Sequence, residues 1–436
     1  MADLSVNFAG IRSPNPFWLA SGPPTNSSYQ VSRAFEQGWG GAVWKTVGAP
    51  VMNPVNRYGA IDYNGQKLSG LNNIELISDR TPEANLREIA RTKKLFPDRA
   101  LIVSLMVEST REAWHTIVGR TIDAGADGIE LNFGCPHGMN ERGMGSAVGQ
   151  VPEYCTMITG WVKEVSTIPV IVKLTPNVTD ILAPARAARA GGADAISLIN
   201  TVNSIMGVDL DTFEIAPSVD GKGTHGGLAG PAVKPIALHM VSQVTSDAGP
   251  GLPVSAIGGI ATWRDAAEFL LLGAHTVQLC SAVMHHGFRI IEDLTEGLSH
   301  WMDEKGFRTI GDFRGRTLAG MTDFGSLNLL YRTVARIDEA TCIRCNLCYI
   351  ACEDGAHQSI DMVRSAETVQ PRIREADCVG CALCFLVCPV EGCIRMVKED
   401  GRGASVSWND LMKELPQPVT WEMLRQFQRK HGIKIE

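Results

Sequence analysis

The sequence predicts an α/β chain in two parts, a closed (β/α)8 barrel and a small cysteine-rich module behind it. Three observations predict this. Eight short apolar runs alternate with Ala-rich amphipathic stretches, nearly every run ends in polar or glycine residues, and eight of the twelve cysteines fall in two equal runs after residue 341.

The apolar runs span residues 17–19, 42–45, 101–105, 128–132, 170–174, 195–199, 254–257 and 276–279. Short unbroken runs are the mark of strands buried on both faces, and the helical stretches between them, such as 83–95, 113–124 and 183–190, have the length of parallel crossovers. An open doubly wound sheet is the competing arrangement. The run ends decide against it: Ser21-Gly22, Lys45-Thr46, Asn132, Lys173, Asn200-Thr201, Gly258-Gly259 and Cys280-Ser281 would all open on one face of a TIM barrel, where such barrels build their sites. Residues 287–335 are expected as a helical extension of the barrel. The expected division is therefore 1–335 for the barrel, 336–398 for the cysteine module and 399–436 for a polar tail carrying one helix over 421–430.

Composition bounds the class. Of 436 residues 44 % are hydrophobic and 20 % charged, the average for soluble globular chains. No segment approaches ~20 unbroken apolar residues, and the first eight residues hold no basic stretch leading into an apolar run. The expectation is no membrane span, no export and a cytoplasmic location. A net charge of -7 with no basic stripe argues against nucleic acid as a partner.

The cysteines read Cys342-x2-Cys345-x2-Cys348-x3-Cys352 and Cys378-x2-Cys381-x2-Cys384-x3-Cys388-Pro389. At these spacings three thiolates wrap one iron-sulfur cubane and the fourth reaches the other cluster. One 4Fe-4S cluster then takes Cys342, Cys345, Cys348 and Cys388, and a second takes Cys378, Cys381, Cys384 and Cys352. Structural zinc is the alternative, but two runs of four ending in Cys-Pro favour a ferredoxin-like module. Cys393 lies outside the pattern and reads as a packed core thiol.

At the expected barrel mouth, residues 132–145 form a glycine-rich loop with Cys135 at its root, suited to a lid. A thiol of pKa ≈ 8.5 is protonated at neutral pH and can donate a proton to a developing carbanion, or can be incidental. Lys45 and Lys173 end two strands, where ammonium groups stabilise charge on the pyrimidine edge of a reduced flavin or snorkel to solvent. Glycines at 226–230 and 258–259, with Cys280-Ser281, offer backbone amides for a phosphate. Asn73, Asn132, Asn200 and Asn203, with Thr201 and Ser204, could read the alternating donors and acceptors of a pyrimidine imide, with Glu75 as a further polar candidate.

On these residues the chain resembles the dihydropyrimidine dehydrogenases, in particular the FMN and iron-sulfur subunits of the bacterial NAD-dependent forms, whose barrel is of the dihydroorotate dehydrogenase type. The most specific stretches are 135–145 (Cys-Pro-His-Gly-Met-Asn-Glu-Arg-Gly-Met-Gly), 73–78, 172–178, 200–202 and the two cysteine runs. The resemblance implies reduction of uracil and thymine to 5,6-dihydro forms, with hydride from FMN to C6 and a proton from Cys135 to C5. It implies that Asn73, Glu75, Asn132, Asn200 and Thr201 hold the pyrimidine. It implies FMN contacts from Ala20, Ser21, Lys45, Asn132, Lys173, Gly230, Gly259, Cys280 and Ser281. The family loop reads Asn-Leu-Ser-Cys-Pro, and here Phe133-Gly134 replaces Leu-Ser. No G-x-G-x-x-G follows a strand, so FAD and NADH are expected on a partner flavoprotein subunit, in a hetero-oligomer with a homodimeric core. A dihydroorotate dehydrogenase-like oxidase and a non-catalytic electron carrier are the competing readings.

Overall fold

The computed structural model describes residues 2–247, 249, 251–364, 368–399, 405–415 and 418–431. Eight parallel strands close a barrel: β1 (Phe17–Leu19), β2 (Gly41–Val47), β3 (Ala100–Leu105), β4 (Gly128–Asn132), β5 (Val170–Lys173), β6 (Ala195–Leu198), β7 (Val254–Ile257) and β8 (Thr276–Leu279). Each of the eight apolar runs is one of these strands. Between and after them lie α1 (Ser28–Gln37), α2 (Pro82–Leu95), α3 (Arg111–Asp123), α4 (Pro152–Val165), α5 (Leu182–Ala190), α6 (Lys234–Ser246), α7 (Trp263–Leu271) and α8 (Ile290–Lys305). The open sheet is excluded because β8 pairs with β1, Val277 opposite Phe17.

Local signals start the helices where the strands end. Thr81 caps α2 by accepting from the Ala84 amide, with Pro82 in the first turn, and Thr262 and Asp265 form a reciprocal capping box on α7. The side-chain period of two along each strand then splits the buried residues into two cores. One set, with Phe17, Ala42, Trp44, Leu101, Val103, Val170 and Val172, packs outward against the helices. The other, with Trp18, Val43, Ile102, Ile171 and Ala195, fills the barrel's lower interior.

A hairpin of Val6–Phe8 and Ile11–Ser13 stops that lower end. Its Phe8 is fully buried and meets Trp18 edge to face at 5.5 Å, while the Trp18 indole N–H donates to Ser13 Oγ at 3.0 Å. A second antiparallel sheet, of Tyr58–Tyr63, Gln66–Asn73, Gly226–Ala229 and Val202–Ser204, belongs to the opposite, C-terminal side of the strands.

The chain divides into two compact units at Gly320/Met321, so the boundary precedes the expected 335/336. The reason is that residues before strand Thr333–Ile337 are tied to the tail: the Leu329 amide donates to the Val406 carbonyl at 2.8 Å, and Asn328 bridges to Ser407, while the strand itself pairs with Ile394–Lys398 some sixty residues on. Helix α8 closes the barrel's alternation, and the segment from its end to Gly320 consists of short 3-10 turns, so the expected helical extension shrinks to that one helix. In the second unit, strands Ile360–Arg364 and Val369–Ile373 form the other antiparallel pair. Of the tail, helix Trp421–Lys430 is present, and residues 400–404, 416–417 and 432–436 lie outside the described residues. No helix among the described residues is long and apolar enough to cross a membrane.

Replacing Phe8 with Ala removes the ring that stops the barrel. Unfolding followed by tryptophan fluorescence in urea should register a loss of about 3–5 kcal/mol; a loss below ~1 kcal/mol would mean the hairpin is ornamental.

Candidate active site

The inward positions of the strands continue upward past the apolar layer, and there the residue type changes. Two residues after Val43 comes Lys45, two after Ile171 comes Lys173, and two after Glu130 comes Asn132. Ser104, Ser197, Ser255 and Gln278 are buried at comparable positions. The upper interior is therefore polar, and the same alternation that packs the bottom aims these groups at the mouth.

Above them opens one cleft with about 1720 Å³ of non-atom space. Ala20, Ser21, Lys45, Asn73, Glu75, Asn132, Cys135, Lys173, Asn200, Thr201, Gly230, Gly259, Cys280 and Ser281 all line it. Asn203 and Ser204 do not. They sit on the mouth sheet, where the Asn203 amide donates to Asn177 Oδ1 at 2.8 Å and Ser204 Oγ accepts from Asn72 at 2.7 Å, so the ring of four asparagines is a set of three. Thr46, Tyr58, His137 and Gln278 also line the cleft.

Both buried ammonium groups are paired. Lys45 Nζ bonds the Glu75 carboxylate, which is also bonded by Arg57 at 3.1 Å and the Tyr58 hydroxyl at 3.0 Å. Burial first, and that carboxylate next, raise the Tyr58 phenol above its ordinary pKa. Lys173 stands 3.6 Å from Glu130, a fully buried carboxylate whose other oxygen accepts from Ser197 at 2.9 Å. Arg57 and Tyr58 could not be found by strand period, since they begin a hairpin of the mouth sheet.

The carboxamides are locked to one another. Asn132 donates to Thr46 Oγ1 at 2.9 Å and accepts from Asn200 at 3.0 Å, and Asn200 Oδ1 accepts from the Thr201 amide at 2.9 Å. Gly134 explains the close pair: a Cβ there would lie 2.5 Å from Asn200 Cβ. Its neighbour Phe133 is buried edge to face on Trp114 at 6.3 Å. On the far wall Gly258 and Gly259 adopt φ of 130° and 76°, and a Cβ on Gly259 would lie 2.8 Å from the Lys234 backbone nitrogen. That turn is open only to glycine.

Cys135 is 8 % exposed. Burial pushes its thiol up to about 11, against the opposing pull of the Lys173 charge, so it is held protonated at neutral pH. Its Sγ donates to the His137 carbonyl at 3.5 Å. His137 Nε2 lies 3.0 Å from the Glu75 carbonyl oxygen, which requires Nε2 to carry the proton, and burial keeps the ring neutral. The loop is seated by Met139 and Met144, which pack with Ile77 and Met106.

The cysteines of the second unit form two sets. Cys342, Cys345, Cys348 and Cys388 line one cavity of about 310 Å³ together with Cys393, and Cys352, Cys378, Cys381 and Cys384 line another of about 340 Å³. Both loops carry the same left-handed residues, Arg344 and Asn346 in one and Gly380 and Ala382 in the other. Four thiolates on one zinc would stand within about 4 Å of each other, yet no three His, Cys, Asp or Glu side chains among the described residues converge on a single ion. Sets of four thiols lining a cavity are what a cubane needs.

A barrel with a charged, carboxamide-lined mouth, carried on one chain with two four-thiol cavities, defines an iron-sulfur oxidoreductase built around a flavin barrel. The family model for dihydroorotate dehydrogenase matches residues 3–302, and that for the 4Fe-4S dicluster domain matches 335–396. The chain is 42 % identical over 370 residues to the NAD-dependent dihydropyrimidine dehydrogenase subunit PreA of Escherichia coli (strain K12), covering 84 % of this chain and 89 % of that one. It is 43 % identical over 332 residues to the chloroplastic dihydropyrimidine dehydrogenase (NADP(+)) of Arabidopsis thaliana, 73 % of this chain and 78 % of that one. The dihydroorotate dehydrogenase B (NAD(+)) catalytic subunit of Pyrococcus abyssi is 38 % identical over 316 residues, 72 % of this chain and 99 % of that one. The chain belongs to the dihydroorotate dehydrogenase family and, within it, to the dihydropyrimidine dehydrogenases that carry a 4Fe-4S dicluster domain.

A thiol held up near 11 sets its own chemistry. Alkylation of Cys135 by iodoacetamide, followed by peptide mass spectrometry, should accelerate about tenfold per pH unit from pH 7 to 10 with no plateau near 8.5.

Proposed function

We propose that the chain is the catalytic subunit of an NAD-dependent dihydropyrimidine dehydrogenase, reducing uracil and thymine to their 5,6-dihydro forms. The observation that carries this reading is Cys135, a thiol kept protonated at the edge of a cleft that also holds two paired ammonium groups and three carboxamides. FMN, when bound, supplies the hydride for C6 of the pyrimidine. The glycine turn at Gly230 and Gly259, with Ala20, Ser21, Cys280 and Ser281, would hold that cofactor, the bare amides facing its phosphate. Lys45, Asn132 and Lys173 would stand at its pyrimidine edge.

The chain's own residues do the rest. Asn73, Asn132, Asn200 and Thr201 present fixed donors and acceptors to the imide edge of the substrate. Glu75 joins them as a carboxylate already oriented by Lys45, Arg57 and Tyr58. Cys135 gives its proton to C5, and the thiolate it leaves is stabilised by the Lys173 charge. A high pKa suits a donor whose acceptor becomes basic only as the double bond is lost.

The two four-thiol cavities would bind 4Fe-4S clusters, one on Cys342, Cys345, Cys348 and Cys388 and one on Cys378, Cys381, Cys384 and Cys352. Electrons for them would come from a partner flavoprotein subunit that carries FAD and oxidises NADH, within a cytoplasmic hetero-oligomer built on a homodimeric core.

The test uses anaerobic, dithionite-reduced holoprotein mixed with uracil. Dihydrouracil should form, and Cys135→Ala should keep its FMN while turnover falls roughly 10²–10⁴-fold. Unchanged turnover in that variant would remove Cys135 from the mechanism. Turnover of dihydroorotate and none of dihydrouracil would make the chain a dihydroorotate dehydrogenase instead.

A further inference from the structure

The second unit is built twice. Antiparallel strand partners Ile337 and Ile394 at one cavity correspond to Ile373 and Ile360 at the other. The Asp338 amide donates to the Cys393 carbonyl at 2.7 Å, and the Arg374 amide donates to the Ser359 carbonyl at 2.8 Å. Cys342 and Cys378 each donate an amide to the carbonyl four residues before them, at 3.1 and 3.0 Å. Under this internal two-fold, Cys388 matches Cys352, and the residue just before the matching strand is Cys393 in one half and Ser359 in the other.

That one difference is chemical. Ser359 is buried, its hydroxyl lies 2.8 Å from the Asp377 carbonyl and 3.0 Å from that of His357, and its amide donates to Cys352 Sγ at 3.4 Å. Cys393 is 2 % exposed, and lines the same cavity as the four thiols of its half. Its thiol interacts with that of Cys388, and its backbone acceptor, the Asp338 carbonyl, is a distant 3.8 Å away. A buried thiol that is bonded by Thr341, set beside a ligand thiol and lining the same space as the four, has what an iron ligand needs.

We propose that Cys393 is a fifth iron-competent thiol of the first cluster cavity, able to take the place of Cys388, and that the second cavity holds no fifth thiol among the described residues. The proposal rests on the two-cluster reading above. The exchange is redox-neutral: the Fe–S bond to Cys388 breaks, one to Cys393 forms, the Cys393 thiol releases its proton and the freed Cys388 thiolate takes one up.

Iron, acid-labile sulfide and low-temperature EPR on anaerobically purified full-length protein test it. The unaltered chain should hold about eight irons and eight sulfides; a chain without them sinks the cluster reading itself. Given those, Cys388→Ala should keep about eight irons, whereas Cys352→Ala and the double variant Cys388→Ala/Cys393→Ala should fall to about seven, with a three-iron EPR signal, or to about four. Should the alanine variant not fold, Cys388→Ser keeps the volume and is read against Cys388→Ser/Cys393→Ala. Equal iron in the single and double variants overturns the fifth-ligand proposal alone, as does loss of iron in Cys388→Ala to the level of Cys352→Ala.

Discussion

Charge held inside a barrel is the condition on which the site depends. An ammonium group taken out of water costs several kcal/mol unless a partner stands with it, and here each has one: Glu75 for Lys45, Glu130 for Lys173. The second pair is the more demanding, because Glu130 is wholly buried and lies 3.6 Å from its lysine, with Ser197 bonded to its other oxygen. Neutral as pairs, these groups still leave two cations where an anionic ring edge can lie. The cleft is polarised before any ligand arrives, and the rigid strands keep it so.

Below this layer the interior is mainly apolar, its few polar atoms bonded, as Thr276 is to Ser255 and Trp18 to Ser13. Trp18, Val43, Ile102 and Ile171 fill the lower barrel, and Phe8 stops it. Strand alternation carries each chain of inward residues from one environment to the other within two positions. The apolar layer secures the fold, and the polar layer above it inherits its precision.

The strands were legible because burial on both faces makes each one an unbroken apolar run, and their ends named the cleft residues. The mouth sheet was not legible. Its strands carry Asn72-Asn73 and Gly226-Gly227, which show neither alternation nor apolar character, so the partners of Glu75 on that sheet and the outward place of Asn203 were hidden. The start of the second unit was hidden for another reason: Asn328 and Leu329 are tied to Val406 and Ser407, some eighty residues on, contacts that local pattern does not reveal. The cysteine spacing reported both four-thiol sets, because ligands a fixed few residues apart on a coiled loop are a local property. Cys393 read as a core thiol from sequence because its equivalence to Ser359 is visible only through the paired strands.

Gly134 ties two positions together. With Asn200 Cβ 2.5 Å from where a side chain would start, a serine cannot be placed in this loop by itself; the asparagine must retreat first or with it. A side chain at 134 is thus conditional on the residue at 200, and a loop grafted with one there would carry a steric debt unless its opposite wall came too.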